Sequence, residues 1–423
     1  MTAIRTTPTP APPAPKIRKR RAVFVGTPGR LRVAGAAAVV ACLVFGFGAT
    51  GAVAERSSAI TNARNHAAQL VRVQDIRSNL TQADAAATNA FLVGGLEPSD
   101  QRASYTQGIA GATEALASAA AGSSADAAVF ATTNHLLAEY AGLIESARAN
   151  NRQGFPIGAA YLRQASDLLR LQILPPLSRL VTAEQAHIAS AYADVANANV
   201  ALIVVLVLGL FVLVVVQIWL SAKTRRTVNI GLGIATVIVV VAALAGEFAM
   251  AYAQQKASDT RRGSLANTDA LATARTDAFD AKSEESLALI NRGSGQPFEA
   301  QYQVDMDNAR AALQSTGTGS DLTPLLDAYD TAHKAVRKDD DGGNWDAAVN
   351  LATSNDPQGT KPAFAAFDAS SRRALTTQAS NATDGLNAAR RPLGAIAVLL
   401  FFAGIAAAVL AWRGIALRLR EYR

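Results

Sequence analysis

The chain has 423 residues, half of them apolar, a net charge of +7 and a single cysteine. One cysteine excludes a disulfide-stapled scaffold. The basic balance is no nucleic-acid signature either, because the excess lies at the ends of apolar runs rather than in one patch.

In chain order, residues 1–30 form a Pro-rich, then basic tail that reads as disordered. An apolar run follows at 31–54, then a polar stretch at 55–199 and a second apolar run at 200–222. After a short joint at 223–227, the order repeats: an apolar run at 228–252, a polar stretch at 253–392 and a last apolar run at 393–412, before the tail at 413–423. About twenty apolar residues suffice to cross a ~30 Å hydrocarbon core as a helix. The chain therefore reads as a four-span membrane protein with two large polar segments on one face. The spans hold few polar groups and no Gly-Pro interruption, which disfavours a transporter with a polar site at the midplane.

Charge orients it. The first 32 residues, the joint and the last tail carry fifteen Lys and Arg against one acid, Glu421, whereas both polar stretches are mildly acidic. Positive residues near span ends stay cytoplasmic, where they meet anionic lipid. The reading is a multi-pass protein of a bacterial cell membrane, with both termini cytoplasmic and both polar stretches extracytoplasmic. Arg outnumbers Lys by 32 to 8, which we read as the codon bias of a GC-rich bacterium. Cys42 follows Val39-Val40-Ala41 in the manner of a lipoprotein box. The apolar run continues to Ala54, so Cys42 reads as an ordinary residue of a span. Trp219 and Trp412 read as interfacial anchors. Glu247 lies about one turn from the outer end of its span, close enough to reach the interface.

Both outer segments read as helical throughout, with no sheet. Leu136, Leu137, Tyr140, Leu143, Ile144 and Ala147 fall at helical spacing, as do Leu322, Leu325, Leu326, Tyr329 and Val336. One apolar stripe per helix is the pattern of a bundle. Breaks come at matching places: Gly94-Gly95 with Pro98 and Gly293-Ser294-Gly295 with Pro297; Gly122-Ser123-Ser124 and Gly317-Thr318-Gly319-Ser320; Asn150 to Gly154 and Asp339 to Asn344. The fold class is all-α: four transmembrane helices and two extracytoplasmic four-helix bundles related by internal duplication. Tyr105 aligns with Tyr302, and Leu136-Leu137-x-x-Tyr140 with Leu325-Leu326-x-x-Tyr329. Pro175-Pro176 predicts a bend in the fourth helix of the first bundle.

No constellation for catalysis stands out, so the chain does not read as an enzyme, and no cofactor or metal is implied. His66, His135, His187 and His333 are isolated in sequence and read as surface or flank residues. The run Asp339-Asp340-Asp341-Gly342-Gly343-Asn344-Trp345-Asp346 misses the EF-hand spacing. It reads as a solvated acidic turn with Trp345 packed back on the bundle. Thr6, Thr7 and Thr9 are candidate phosphoacceptors in the tail, although an inert tether is the plainer reading. The expected contacts for a cytoplasmic partner are Arg18, Lys19, Arg20, Arg21, Lys223, Arg225, Arg226, Arg413, Arg418 and Arg420. Outer contacts are expected near 94–102, 150–158, 293–298 and 339–346.

Span, helical bundle, span is the sensor arrangement of bacterial chemoreceptors and sensor kinases. Tyr161-Leu162-Arg163-Gln164 through Ile173-Leu174-Pro175 to Leu180 looks like the last helix of such bundles. After Trp412 only a short basic tail follows, so a separate protein is expected to read any signal. The doubled layout resembles the GlnX-type actinobacterial membrane proteins across nearly the full chain, by architecture rather than by a diagnostic motif. The resemblance implies a signal transducer between an extracytoplasmic solute-binding lipoprotein that reports amino-acid status and a cytoplasmic Ser/Thr kinase. Beyond the lipid bilayer and these two partners, no nucleic acid is expected, and a homodimer is compatible with the layout. Direct chemoreceptor-like sensing of a small molecule and a structural or assembly role in the envelope are the alternatives.

Overall fold

The computed structural model describes residues 27–93, 96–224 and 229–421. All regular elements among them are helical, in agreement with the all-α class read from the sequence. The helices are α1 (Thr27–Val93), α2 (Ser99–Gly122), α3 (Ala127–Arg152), α4 (Ile157–Leu168), α5 (Leu174–Thr224), α6 (Ile230–Thr260), α7 (Ala266–Ile290), α8 (Gln296–Gln314), α9 (Gly319–Asp341), α10 (Trp345–Thr353) and α11 (Thr360–Glu421). Two π-helical turns join neighbours, Leu169–Ile173 between α4 and α5 and Arg261–Leu265 between α6 and α7.

The chain forms two compact units. One comprises Met1–Ala52, Val200–Glu247 and Ile396–Arg423; the other comprises Val53–Asn199 and Phe248–Ala395. Helices α1, α5, α6 and α11 supply residues to both.

Among the described residues, four helices are long and apolar enough to cross a membrane, and each gives part of its length to the first unit. Its outward positions are large and apolar, among them Val40, Phe47, Val207, Phe211, Val237, Leu244 and Phe402, as a lipid-facing surface requires. Inside, small residues let backbones approach. A Cβ on Gly46 would lie 3.0 Å from the Cα of Gly404, and one on Gly231 would lie 2.7 Å from the Cα of Gly414. Such close crossings gain van der Waals contact where lipid supplies no hydrophobic drive. Asn229 caps one of them by donating to the Gly414 carbonyl at 3.0 Å.

The second unit is organised differently from a set of one-stripe helices. Residues 80–90 of α1 and 281–289 of α7 are buried without interruption. Burial on every face means neighbours all round, so these two segments are the centre. Helix α1 runs alongside α6 and α7: Arg56 donates to Gln254 at 2.9 Å, Gln74 donates to Asp269, and Thr88 donates to Ser283 at 3.4 Å. Leu92 and Leu289 meet near the far ends, in one cluster with Val336, Ala348 and Ala352. Helices α2 and α3 bring the buried side chains Tyr105, Phe130, Leu137, Tyr140 and Ile144. Helices α8, α9 and α11 close a core of Tyr302, Met306, Leu313, Leu326, Tyr329, Phe364 and Phe367 around α7.

Two local features mark these stretches; the second, a further helix break, is not among the breaks read from the sequence. The helix path continues through Pro175-Pro176, and the adjustment is the π turn immediately before it. Prolines lack N–H groups and crowd the carbonyls four residues back; a widened turn accommodates both effects. The second outer stretch also breaks at residues 354–359, which separates α10 from α11. Asp356 shapes that break by accepting the Gln358 N–H at 2.8 Å, an Asx turn of the kind that competes with helix.

Candidate functional site

The centre of the second unit is polar. Along 80–90, α1 carries Thr81, Gln82, Asp84, Thr88 and Asn89; along 281–289, α7 carries Lys282, Ser283, Glu284, Glu285 and Ser286. Buried polar groups are costly unless bonded, and two networks join Asp84, Ser283 and Glu284 on one side and Lys282 and Glu285 on the other.

The first network is built on Asp84. Its Oδ1 accepts from Tyr140 at 3.1 Å and from Ser166 at 2.9 Å, and its Oδ2 accepts from Ser283 at 2.7 Å. Arg170, in the π turn, reaches Glu284 at 2.5 Å and approaches Asp84 at 3.7 Å. Residues of α1, α3, α4, the π turn and α7 therefore meet at one point. Burial opposes the Arg170 charge, but Asp84, Glu284, Asp280 and Asp305 outweigh it and hold the guanidinium above its usual range. Burial pushes Glu284 up to about 7 against the pull of Arg170, with Asp305, Asp84 and Asp167 adding to the rise. Burial and Asp305 likewise push Asp277 up to about 7, against Arg77. One arginine thus serves several carboxyls, of which Glu284 is held up at about 7.

The second network is built on Glu285 and His333, both wholly enclosed. His333 donates from Nδ1 to Glu285 at 2.8 Å and from Nε2 to Glu299 at 3.0 Å. Lys282 and Thr360 both donate to the other Glu285 oxygen. Burial opposes charge at both residues. The bonds to Glu285 and Glu299 nevertheless hold His333 above its usual range, and Lys282 and His333 lower Glu285 to about 2. The His333 ring stacks on Tyr302 with centroids 3.6 Å apart. The surface or flank position expected for His333 is therefore corrected: two acids far away in sequence give it a buried, charged seat. His66 and His187 also meet, stacked at 4.8 Å, with His66 on Glu184 at 2.7 Å.

Beside the second network lies a cleft of about 190 Å³ between α1 and α2 on one side and α7 and α11 on the other. Phe279 and Phe364 stand edge to face in it, 5.0 Å apart. Asp100 and Lys361 bridge its mouth at 2.7 Å, and the Lys361 hydrogen bond holds the Asp100 carboxyl below its usual range despite some burial.

Residues 59–193 match the model of an actinobacterial sensor domain. The matched stretch runs from α1 to α5 and contains Asp84, Tyr140, Ser166 and Arg170. It supports an actinobacterial sensor protein. Comparison with curated proteins and with solved structures gives no match.

Of the residues singled out from the sequence, Arg18, Lys19, Arg20, Arg21, Arg225, Arg226, Thr6, Thr7 and Thr9 lie outside the described residues. Lys223 falls in α5, and Arg413, Arg418 and Arg420 fall in α11, with Arg413 exposed. The expected outer contact regions all contain helix breaks. Two of them are neighbours: Arg148 reaches Glu97 at 2.9 Å, and Asn151 donates to the Phe91 carbonyl at 3.0 Å. That end exposes Val93, Leu96, Phe155 and Ile157. In the acidic run, Arg337 holds Asp340 and Asp341, each at 2.6 Å. Trp345 packs back through a 2.9 Å bond to the Leu289 carbonyl, and Arg292 covers its ring at 3.7 Å.

Proposed function

We propose that this chain is a transmembrane signal transducer, not an enzyme, that relays extracytoplasmic amino-acid status from a solute-binding lipoprotein to a Ser/Thr kinase in the cytoplasm. One observation carries the reading. The stretch that matches a sensor domain belongs to a unit whose helices α1, α5, α6 and α11 also supply the apolar, span-length segments. A continuous helix is stiff along its axis, so a change at one end is passed on as a shift, tilt or rotation. The amino-acid and kinase assignments draw on the architectural resemblance to the GlnX-type proteins.

The exposed Val93, Leu96, Phe155 and Ile157, flanked by the Glu97–Arg148 pair, form an apolar patch with a polar rim. That composition suits a protein partner. On the other face, Arg18, Lys19, Arg20, Arg21, Lys223, Arg225, Arg226, Arg413, Arg418 and Arg420 offer a basic surface to the kinase and to anionic lipid. Photo-crosslinking from residues 223–227 in cells is expected to capture a Ser/Thr kinase, and deletion of the chain is expected to uncouple that kinase from external amino acids. Capture of lipid alone, with kinase output unchanged by deletion, contradicts the reading.

A further inference from the structure

The cleft beside the His333 network has one unfilled need. Asn89, 2% exposed on the central helix α1, turns its Nδ2 toward the Ala352 carbonyl at 3.4 Å, but its enclosed Oδ1 has no hydrogen-bond partner in the structure. A buried acceptor left bare is unfavourable, and Asn89 is one of the residues that line the cleft. The other charged groups there are already engaged: Lys282 with Glu285 and Thr360, and Asp368 with Arg275 at 2.7 Å and Arg372 at 3.0 Å. The Asp100–Lys361 pair is different. The Asp100 side chain is 56% exposed while that of Lys361 is 22% exposed. Asp100 can therefore return to water at little cost, whereas Lys361 needs an anion to stay where it is.

We propose that this cleft binds a small zwitterion of the free α-amino acid class, with its ammonium on Asn89 Oδ1 and its carboxylate on Lys361 in place of Asp100. An ammonium brings three donors to an acceptor that has none. The carboxylate replaces one charge-assisted bond by another. Phe279 and Phe364, with the small walls Ala85 and Ala86, leave an apolar slot for the side chain. The volume suits a free amino acid and falls short of the ~300–1,000 Å³ typical for larger ligands. Because Asp100 sits on α2 and Lys361 on α11, exchange of partners releases the ion pair between the two outer stretches. Ligand binding then biases their packing by the difference in affinity between the bridged and released states. The inference deepens the transducer reading and rests on it for its physiological meaning.

The test uses the full chain in detergent micelles. Titration calorimetry with each common amino acid is compared with the matching methyl ester, which lacks the carboxylate, and the 2-oxo acid, which lacks the ammonium. At least one amino acid is expected to bind saturably, with both analogues weaker by about tenfold or more, ~1.4 kcal/mol. Lys361→Gln and Asn89→Leu are each expected to weaken binding to a similar extent. Asp100→Ala is expected to tighten it several-fold, since the internal competitor is gone. Ala365→Trp, a change at an exposed position on the mouth that leaves the core untouched, is expected to abolish binding in a chain shown to be folded by circular dichroism. Absence of binding by every amino acid, equal affinity in Ala365→Trp, or weaker binding in Asp100→Ala overturns the proposal. Kinase output in cells separates the two readings. No binding together with a chain-dependent kinase response overturns this site and leaves the relay. Binding without any kinase response upholds the site and overturns the relay.

Discussion

Replacement of Arg170 by Met tests whether the two outer stretches are held together through the Asp84 network. The variant keeps the length and apolar stem of the side chain but leaves Asp84, Glu284, Asp280 and Asp305 without the guanidinium that faces them. Loss of one member of a buried pair costs about 3–5 kcal/mol. Arg170 retains 21% side-chain exposure, so solvent screening lowers the expectation to about 2–4 kcal/mol at pH 8. The cost depends on pH. Glu284 titrates at about 7 in the intact protein, so at pH 5 it is largely neutral and needs no cation. The penalty there should fall to about 1 kcal/mol. Trp345 is the one tryptophan of the outer unit; Trp219 and Trp412 lie in the apolar runs. With those two changed to Phe, thermal unfolding followed by Trp345 fluorescence reports on this unit. A fall in Tm of roughly 5–10 °C is expected at pH 8, with a clearly smaller fall at pH 5. Arg170→Lys should recover only part of the loss, since an ammonium lacks the fork that spans two carboxylates. An unchanged Tm at pH 8, or equal losses at both pH values, would mean that Arg170 does not hold these carboxylates.

Further outcomes follow from the same packing. Tyr140→Phe removes one of three hydroxyl donors to Asp84 and is expected to cost about 1 kcal/mol in the same melt; no change would mean that the Tyr140 hydroxyl does nothing for Asp84. Asp277→Asn should stabilise the unit at pH 8 and change little at pH 4. A carboxyl raised to about 7 costs stability as pH rises from its unfolded value through 7, and equal effects at both pH values would contradict this. His333 is raised, so its contribution is complete below about 6.5 and is lost as pH climbs through the folded value, whereas that of Glu285, lowered to about 2, is present above about 4.5 and is lost only in strong acid. Accordingly, His333→Gln should destabilise most below pH 6.5, and a penalty that grows with pH would be inconsistent with an imidazolium between two glutamates. In the apolar unit, Gly404→Leu drives a side chain against the Gly46 backbone, where even a Cβ would sit 2.5 Å from the Gly46 Cα. It should lower the yield of folded protein in micelles, whereas Gly394→Leu, at a position with open space, should not.

Much of the fold was readable because its signals are local. Four apolar runs of span length, the breaks near residues 94, 123, 153, 293, 317 and 342, and the stripe of Leu137, Tyr140 and Ile144 depend on neighbours in sequence, and the helices fall accordingly. The centre was not readable in this way. Residues 80–90 and 281–289 look like polar, exposed helix because hydrophobic periodicity presumes an apolar core, yet here hydroxyls and charges are buried with partners. Those partners are remote: Ser283 lies 199 positions from Asp84, and Glu285 lies 48 from His333. The break at residues 354–359 carried its own signal in Asp356-Pro357 and Gly359. It has no counterpart in the first stretch.

Signal relay across a membrane requires both outer stretches on one face and the arginine-rich ends on the other. Single cysteines at the exposed positions Glu139, Ala328 and Arg413, in a Cys42→Ser background, can be probed in intact cells with a membrane-impermeant maleimide. Labelling at 139 and 328 without permeabilisation, and at 413 only after it, is the predicted result. Labelling of 139 and 328 from opposite faces, or of 413 from outside, would contradict it.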